Sequence, residues 1–417
     1  MMLRTSLTMP VAAAMMALSV MATMSCGQQS EPKIVADAAE VKAGVPAVSA
    51  TTTWPLARGD RSQTGLSHAK LGDKLTLKWR FKTEGAIKAT PIIADGRAFI
   101  GSADGSFYAI DLATGNKVWS FSTIDGPLPK DAGKNEKKFN DPIEASACYV
   151  DGRVYFGAQD GNFYCLDAKT GKMEWAFETQ DKITAAPNFV KSTDGKSTHI
   201  LVGSNDSRMY CLDAFTGKKI WQYETGNIIN GAPAVGNGVV IFGGCDGLVH
   251  VISVADGKKV SEVEITDYIA ATAAVDGDRV FFGHHGNKFI YVDLKEKRIV
   301  WQFGQRDFPF MGSPALTKDH VLFGGQDRRV HFISKADGKA KWEFKSRGQF
   351  NSSPVIVGDR AVIGCDDGRV YMLNLADGSE VWNYEIGQPV AGSPAVIDGL
   401  MLIGSDDGSL YAFGDEK

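Results

Sequence analysis

The side chains of this 417-residue sequence that are most able to do chemistry are two adjacent histidines and a few cysteines. His284 and His285 stand together, an arrangement that could hold a metal ion. Neighbouring residues of a strand point to opposite faces, however, and no carboxylate adjoins the pair in the sequence. We therefore predict no metal site at these histidines.

Cysteine chemistry is not expected either. Beyond residue 26 the cysteines are Cys148, Cys165, Cys211, Cys245 and Cys365. Their number is odd, no Cys-x-x-Cys spacing occurs, and they fall on strands and turns that should hold their Cα atoms beyond disulfide range. We predict buried thiols and no disulfide. The sequence also lacks a phosphate-binding glycine loop, a nucleophile elbow and a helical zinc motif.

The elements that must position any site come from a repeat. An Asp in a turn recurs at intervals of 40 or 41 residues, after two longer intervals of 56 and 46 residues. A Trp follows this Asp later in most copies, with Ser261 in its place in the fourth copy. A period of this length is typical of a propeller, a solenoid or another repeat array. The turn position is occupied by Asp104, Asp160, Asp206, Asp246, Gly286, Asp327, Asp367 and Asp407.

The contents of each copy favour the propeller. Short runs rich in Val, Ile, Phe and Tyr alternate with Asp-Gly, Thr-Gly or Gly-Asn pairs, which favour two-residue hairpin turns. Each copy therefore predicts four antiparallel strands, named A to D from the inside outwards, which form one blade. Seven complete copies and one copy without strand D predict an all-β, eight-bladed β-propeller. Residues 75–83 resemble a strand D, so we expect them to complete the last blade and close the ring.

Two further patterns fit this arrangement. Pro and very small residues precede strand A, as expected for edge strands that converge on a narrow central channel. The Trp on strand D can dock between neighbouring blades, where burial of an indole contributes up to about 4–6 kcal/mol. The predicted docking residues are Trp79, Trp119, Trp175, Trp221, Trp301, Trp342 and Trp382.

The mouth of the channel, where the chain enters the inner strands, collects a further set of residues. We assign to it the residues before the small pairs, and of these Lys88, Glu144, Asn230 and Asn351 carry polar groups that could contact a ligand. Only Glu144 is acidic, whereas a Ca²⁺ ion needs six to eight oxygen ligands. Glu144 and Lys88 lie on adjacent blades and are expected to pair with each other. The sequence therefore predicts no metal, no cofactor and no catalytic residue.

The N-terminal part differs in composition from the repeats. Residues 1–25 contain Arg4 and an apolar stretch, a pattern typical of an export signal peptide. Cys26 follows a small residue and is predicted to be lipidated, and Gly27 favours the outer membrane. Residues 26–53 then form a flexible, lipid-anchored linker. Residues 54–417 form the propeller, and the net charge of −4 gives no electrostatic support for a nucleic-acid partner.

The motif Asp-Gly-x-Phe-Tyr-Ala-Ile-Asp-x-x-Thr-Gly-x-x-x-Trp resembles the pyrroloquinoline quinone (PQQ)-type propeller repeat. The resemblance covers residues 75–413. The family includes alcohol dehydrogenases, which use PQQ and Ca²⁺, and BamB-type lipoproteins, which have no cofactor and assist outer-membrane barrel assembly. This sequence resembles the BamB branch more closely, because it lacks the vicinal cysteines and the long insertions of the enzymes.

The resemblance implies a non-catalytic scaffold, expected to be a monomer, that faces the periplasm and binds barrel-assembly or other envelope proteins. The alternatives are a PQQ- and Ca²⁺-dependent dehydrogenase and a generic ligand- or polysaccharide-binding propeller. Candidate partner surfaces are the D-to-A connections and the insertion at residues 122–142. The residues singled out on these connections are Glu178, Gln180, Asp181, Lys182, Glu224, Asn227, Ile228 and Ile229.

Overall fold

The computed structural model describes residues 53–127, 139–269, 271–304 and 306–416. In these residues eight sheets, each with four antiparallel blade strands, form an all-β propeller, which confirms the predicted fold class. The predicted signal peptide, Cys26 and nearly all of the linker lie outside the described residues, as does part of the 122–142 insertion. In the described part of the chain, no helix has the length and apolar content needed to cross a membrane.

Each blade is a meander of four strands. Two strands precede the first blade: β1 (Leu66–Ser67) and β2 (Leu75–Lys82). Blade 1 holds β3 (Ile92–Ala94), β4 (Arg97–Gly101), β5 (Ser106–Asp111) and β6 (Lys117–Ser122). Blade 2 holds β7 (Cys148–Val150), β8 (Arg153–Gly157), β9 (Asn162–Asp167) and β10 (Met173–Glu178). A 3-10 turn, Thr123–Asp125, lies between these two blades.

The next two blades follow the same order. Blade 3 holds β11 (Asn188–Lys191), β12 (Thr198–Gly203), β13 (Arg208–Asp213) and β14 (Lys219–Glu224). Blade 4 holds β15 (Ala234–Gly236), β16 (Val239–Gly243), β17 (Leu248–Ser253) and β18 (Lys259–Glu264).

The remaining strands complete the ring. Blade 5 holds β19 (Ala274–Asp276), β20 (Arg279–His284), β21 (Lys288–Asp293) and β22 (Arg298–Phe303). Blade 6 holds β23 (Ala315–Leu316), β24 (His320–Gly324), β25 (Arg329–Ser334) and β26 (Ala340–Lys345). Blade 7 holds β27 (Val355–Val357), β28 (Arg360–Gly364), β29 (Arg369–Asn374) and β30 (Glu380–Glu385). Blade 8 holds β31 (Ala395–Ile397), β32 (Leu400–Ser405) and β33 (Ser409–Asp415), with β2 as its outer strand.

The ring closes as the sequence predicts. β2 pairs with β33 in an antiparallel register that places Leu75 opposite Asp415 and Trp79 opposite Ala412. The strand order of the last blade is β2-β33-β32-β31, so the outermost strand comes from the beginning of the propeller and the other three come from its end. This closure leaves no unpaired edge between the first and last blades.

The indoles on the outer strands join each blade to the next. Each of the seven predicted Trp side chains donates its ring N–H to a backbone carbonyl of the following blade, as Trp342 does to Leu375 at 3.0 Å. Six of the indoles lie against a glycine in a turn of that blade; the glycines are Gly115, Gly171, Gly217, Gly257, Gly338 and Gly378. At the blade 4–5 junction Ser261 replaces the Trp and Lys297 replaces the glycine, so both partners change together.

Small hydroxyl residues line the channel for a reason beyond their size. The backbone N–H of one inner segment donates to a Ser or Thr hydroxyl of the next blade: Thr90 to Ser146, Ala232 to Thr272, Thr272 to Ser313, Ser313 to Ser353, and Ser353 to Ser393. These bonds satisfy edge N–H groups that face the axis and have no strand to pair with.

The segment of residues 54–70, called here the N-terminal strap, precedes β2 in the chain. In the structure it contacts the inner strands of all eight blades in turn. Its bonds join Trp54 to Ile93, Pro55 to Tyr149, Arg61 to Asn188 and Val235, Ser62 to Val275, Thr64 to Leu316, Gly65 to Ile356, Ser67 to Val396 and Lys70 to Gly399. β1 is part of the strap and pairs in parallel with β27.

The side chain of Arg58 joins the strap to blades on the far side of the channel. Its side chain is buried, and its guanidinium donates to the carbonyls of Ser353 at 3.3 Å, Pro314 at 3.0 Å and Pro354 at 2.5 Å. Those carbonyls belong to blades 6 and 7, whereas the neighbouring strap residues contact blades 2 to 4. Burial lowers the pKa of Arg58 to about 10, although the nearby Asp60 carboxylate acts in the opposite direction. The strap therefore covers the end of the channel that carries the A–B hairpins.

Candidate functional site

The opposite end of the channel is the mouth, formed by the D-to-A connections and the B–C turns. Lys88 Nζ lies 2.8 Å from Glu144 Oε1, so the ion pair expected from adjacent blades is present. The second oxygen of Glu144 accepts from Gln159 Nε2 at 2.7 Å. Hydrogen bonding to Glu144, which outweighs burial, raises the pKa of Lys88. At blades 1 and 2 the mouth thus holds a hydrogen-bonded network of Lys88, Glu144 and Gln159.

The two predicted asparagines belong to separate clusters. Asn351 donates to Asp366 Oδ2 at 2.7 Å and accepts from Gln326 at 3.0 Å. Asn230 accepts from Thr184 at 3.1 Å, and its amide lies 3.5 Å from the sulfur of Cys245. The four predicted mouth residues therefore belong to three hydrogen-bonded groups around one rim.

Two acidic residues of the mouth, Asp366 and Asp406, were missed from the sequence. They precede the repeated Asp in the B–C turns of blades 7 and 8. Burial raises the pKa of Asp366, and so does the charge of Asp406, although the bond from Asn351 acts against the shift. Burial also raises the pKa of Asp406, with Glu144 adding to the shift and Lys88 opposing it. The mouth therefore holds three carboxylates rather than one.

A signal for these residues exists in the repeat. The position before the turn Asp varies from copy to copy, while the Asp itself is nearly constant. Because the residue type at this position differs between copies, the turn itself does not require a particular side chain there. The side chain can therefore contribute to a binding site. Its occupants are Ala103, Gln159, Asn205, Cys245, His285, Gln326, Asp366 and Asp406.

Replacement of Asp406 by Asn is expected to stabilise the protein at pH 7. The folded state holds the pKa of this carboxyl above its ordinary value, so the ionised form is disfavoured there. The penalty is present above the folded pKa and disappears below about pH 3.9, where the carboxyl is protonated in both states. Urea unfolding should therefore show a higher midpoint for Asp406→Asn at pH 7 and no gain near pH 3.

The neighbouring Asp407 provides the control. It accepts hydrogen bonds from the hydroxyl of Tyr411 at 2.6 Å and from the amide of Ser409 at 2.9 Å. Asp407→Asn removes a charged acceptor and is expected to lower the midpoint at pH 7. A loss of stability in Asp406→Asn as well would contradict our interpretation of the mouth.

A second candidate site is a groove of about 920 Å³ between blades 2 and 3. Four of the predicted partner-binding residues line it: Glu178, Gln180, Asp181 and Lys182. Phe177 and Tyr210 also line the groove, so its walls combine aromatic and charged groups. The loop of residues 179–182 is held through its backbone carbonyls. Lys182 O accepts from the backbone N–H of Asn205 at 3.0 Å, and Asp181 O accepts from the Thr179 hydroxyl at 2.6 Å. The side chains of Gln180, Asp181 and Lys182 are exposed on this fixed loop.

Arg208 connects the two predicted loops. It donates to Gln180 Oε1 at 2.8 Å, and its guanidinium lies 3.7 Å from a carboxylate oxygen of Glu224. Asn227 is exposed and Ile228 is half-buried on the second loop. Glu224, Asn227 and Ile228 thus extend the groove surface towards blade 4.

The prediction that Ile229 belongs to this surface is wrong. Ile229 is fully buried and packs against Gly203 in the core between blades 3 and 4. It is one of a series of core residues at the same place in other copies, which includes Ile87, Ile143, Ile183 and Ile269. Its side chain is therefore not available to a partner.

The histidine and cysteine side chains considered in the sequence analysis have structural positions. His284 is buried, with Nδ1 3.7 Å from Asp267, and burial lowers its pKa despite that carboxylate. The five cysteines of the described residues are free, and all except Cys245 are buried. Burial raises the pKa of Cys165, Cys211 and Cys365 to about 12, which keeps these thiols protonated.

Comparison with known proteins identifies the family. The family model described as "Outer membrane protein assembly factor BamB" matches residues 69–133 and 245–416, which is more than half of the chain. The model described as "Glucose/ethanol/alcohol dehydrogenase, beta-propeller domain" matches residues 127–239. The chain belongs to the PQQ-like β-propeller repeat family. Within this family it is related both to BamB and to the quinoprotein alcohol dehydrogenases.

Individual relatives cover the chain to different extents. The outer membrane protein assembly factor BamB of Xanthomonas campestris pv. campestris is 25% identical over 283 residues, which are 65% of this chain and 67% of that protein. The quinohemoprotein alcohol dehydrogenase of Comamonas testosteroni is 33% identical over 155 residues, 34% of this chain and 21% of that enzyme. The chain thus spans about a fifth of the enzyme's length. The crystal structure of BamB from Moraxella catarrhalis aligns with a TM-score of 0.66 at 18% identity over 82% of this chain and all of that one, which shows the shared fold.

The PQQ-like family also implies a cofactor site for its dehydrogenase branch, and the mouth can be tested for it. Both oxygens of Glu144 are held by Lys88 and Gln159, and Asp366 is held by Asn351, whereas Asp406 Oδ1 is buried without a hydrogen-bond partner within the residues that the structure describes. Among the described residues, no three His, Cys, Asp or Glu side chains form a group that could bind a metal ion. A Ca²⁺ ion prefers six to eight oxygen ligands, so the donors of this mouth do not fit the metal of the dehydrogenases.

Proposed function

We propose that this propeller is a non-catalytic scaffold that binds proteins during the assembly of outer-membrane β-barrel proteins. In this proposal it is an exported lipoprotein, anchored through Cys26 and facing the periplasm. The proposal is carried by the comparison with BamB of Xanthomonas, which extends over about two thirds of both chains. The match to the Comamonas dehydrogenase covers only 21% of that enzyme.

The geometry supports binding rather than chemistry. The strap covers one end of the channel, and at the other end Lys88, Gln159 and Asn351 already occupy oxygens of Glu144 and Asp366. The groove between blades 2 and 3 is open, and it is lined by exposed charged side chains beside the half-buried Phe177. Its loops are fixed by backbone hydrogen bonds, so a partner would meet a preorganised surface and lose little free energy in ordering it. Such a surface suits the recognition of an extended segment or a loop.

A charge reversal in the groove is expected to weaken partner binding. Lys182 is exposed at the rim of the groove, and Lys182→Glu changes its charge by two without touching the core. Charged residues at an interface mainly set specificity and association rate, so we expect about a tenfold loss of affinity, or about 1.4 kcal/mol. Affinity purification from detergent-solubilised envelope should recover less of the outer-membrane barrel-assembly protein with the variant.

The matched control is Lys258→Glu, in a C–D turn at the other end of the propeller. Lys258 is 83% exposed and pairs with Asp256 only at the surface. Its reversal should leave partner recovery unchanged. Equal recovery with Lys182→Glu and with the unmodified protein would count against the groove, and no barrel-assembly protein in any sample would count against the proposed role.

The alternative is a quinoprotein dehydrogenase, which the match of residues 127–239 to the dehydrogenase model favours. The two functions separate in one assay. The purified protein, reconstituted with PQQ and Ca²⁺, should show neither quinone absorbance after gel filtration nor dye-linked oxidation of an alcohol. Retention of the quinone together with activity would assign the protein to the enzymes. Retention on immobilised polysaccharide instead would favour a glycan-binding propeller.

A further inference from the structure

Lys335 departs from the repeat at a buried position. Its backbone carbonyl accepts the indole N–H of Trp301, as an equivalent residue does at other blade junctions. Those equivalent residues are all apolar: Leu112, Ala168, Ala214, Val254 and Leu375. The Lys335 side chain is only 3% exposed, so an ammonium replaces a hydrocarbon group inside the propeller. Burial of an ammonium costs free energy unless the charge is paired and hydrogen-bonded.

The ammonium lines a pocket of about 270 Å³ between blades 5 and 6, called here the blade 5–6 pocket. Leu66 of the strap, Val275 and Leu316 form its apolar surface, and Thr64 and Thr317 add hydroxyls. Three cations line it as well: Arg279, Lys318 and Lys335. Asp276 is the one carboxylate among the lining residues.

The single carboxylate is shared. Lys335 Nζ lies 2.8 Å from Asp276 Oδ2, and the same oxygen accepts from Arg279. Burial lowers the pKa of Lys335, and Arg279 adds to the shift, whereas Asp276 and the nearby Asp319 oppose it. One lining carboxylate thus faces two cations directly, with Lys318 as a third. The pocket has an excess of positive charge beside an apolar wall.

We propose that the blade 5–6 pocket binds a small apolar group that ends in a carboxylate, such as the last residue of a peptide or a short fatty acid. The carboxylate would lie against Arg279 and Lys335, where a planar guanidinium and a buried ammonium can both donate to it. The apolar part would pack on Leu66, Val275 and Leu316. The volume is just below the usual range for ligand sites, so it holds one residue or a short chain and not a cofactor.

The test compares ligands that differ only in charge. Isothermal titration calorimetry of the full chain with N-acetylphenylalanine is expected to give a dissociation constant of about 1 mM or tighter, as typical ligand efficiencies predict for this size. The uncharged amide of the same compound should bind at least tenfold more weakly. Octanoate tests the lipid source: binding of octanoate but not of N-acetylphenylalanine would assign the pocket to fatty acids. Equal binding of acid and amide, or binding of neither acid, would overturn the proposal.

Two lysine variants localise the site. Lys335→Met keeps the stem length, restores the apolar character of the position and should weaken binding of the acid at least tenfold. Lys339→Met is the control, because Lys339 is 83% exposed in the same turn and should leave binding within a factor of two. Equal losses in both variants, or none in Lys335→Met, would contradict the assignment. The acid–amide comparison needs no variant, so it decides the question even if Lys335→Met does not fold.

Discussion

Arg58→Met is expected to lower the free energy of unfolding by about 3 kcal/mol, because each hydrogen bond to a charged group contributes about 1.5–3 kcal/mol and desolvation offsets part of the sum. The guanidinium bonds three carbonyls of blades 6 and 7, and methionine would leave them buried without a donor. Burial already lowers the pKa of Arg58 to about 10, so its charge is partly destabilised in the folded state. Urea unfolding followed by tryptophan fluorescence measures the loss.

The control for Arg58 lies three residues away. Arg61 belongs to the same strap, but its side chain is exposed and the strap uses only its backbone carbonyl. Arg61→Met should therefore change the free energy of unfolding by less than about 0.5 kcal/mol. Similar losses for the two variants would show that Arg58 does not hold the strap in place.

Gly378→Ala is expected to cost about 3 kcal/mol, the sum of a left-handed backbone penalty of about 1–2 kcal/mol and an overpacking penalty of similar size. Gly378 has φ +76°, and a Cβ there would lie 2.6 Å from a ring carbon of Trp342. The indole cannot yield freely, because its N–H donates to Leu375 at 3.0 Å. The midpoint of urea unfolding should fall accordingly.

The matched control is Gly152→Ala. Gly152 has the same φ of +76° in an A–B turn, but no atom lies within 4 Å of the place where its Cβ would be. It should lose only the backbone part, about 1–2 kcal/mol. The difference between the two variants then measures the contact between glycine and indole. Adding Trp342→Ala to both should remove most of that difference, and equal losses from the start would refute the blade-docking role of the indole.

The fold could be predicted because its signals are local and periodic. Turn pairs such as Asp151–Gly152 take positive φ angles, as two-residue hairpins require. The apolar runs between these turns recur with the period of the repeat. The sequence of β2 also matches the outer strand that the last copy lacks. The strap could not be predicted in the same way. It is held mainly through its backbone, which leaves little trace in the sequence, and the three acceptors of Arg58 are carbonyls far along the chain.

The candidate sites were predicted in part, for reasons that can be traced. Lys88 and Glu144 occupy equivalent positions of adjacent blades, so their contact follows from the repeat. Asp366 and Asp406 reach the mouth from B–C turns rather than from the D-to-A connections, so the residues before strand A do not reveal them. Ile229 follows exposed residues in its loop, which favours a surface position. The equivalent residues Ile183 and Ile269 are buried, however, and they show that this position of the repeat belongs to the core.

The pairing of β2 with β33 has a consequence for biosynthesis. β2 leaves the ribosome before any blade exists, whereas β33, its partner, is made last. Until then β2, whose apolar residues alternate with charged and hydroxyl residues, has no neighbouring strand, and a nascent chain in this state is exposed to non-native pairing. Contacts so distant in sequence also form slowly, since a long loop must close before they gain free energy. The order of synthesis therefore leaves blade 8 incomplete, with its outer strand unpaired, until the last strand of the propeller has been made.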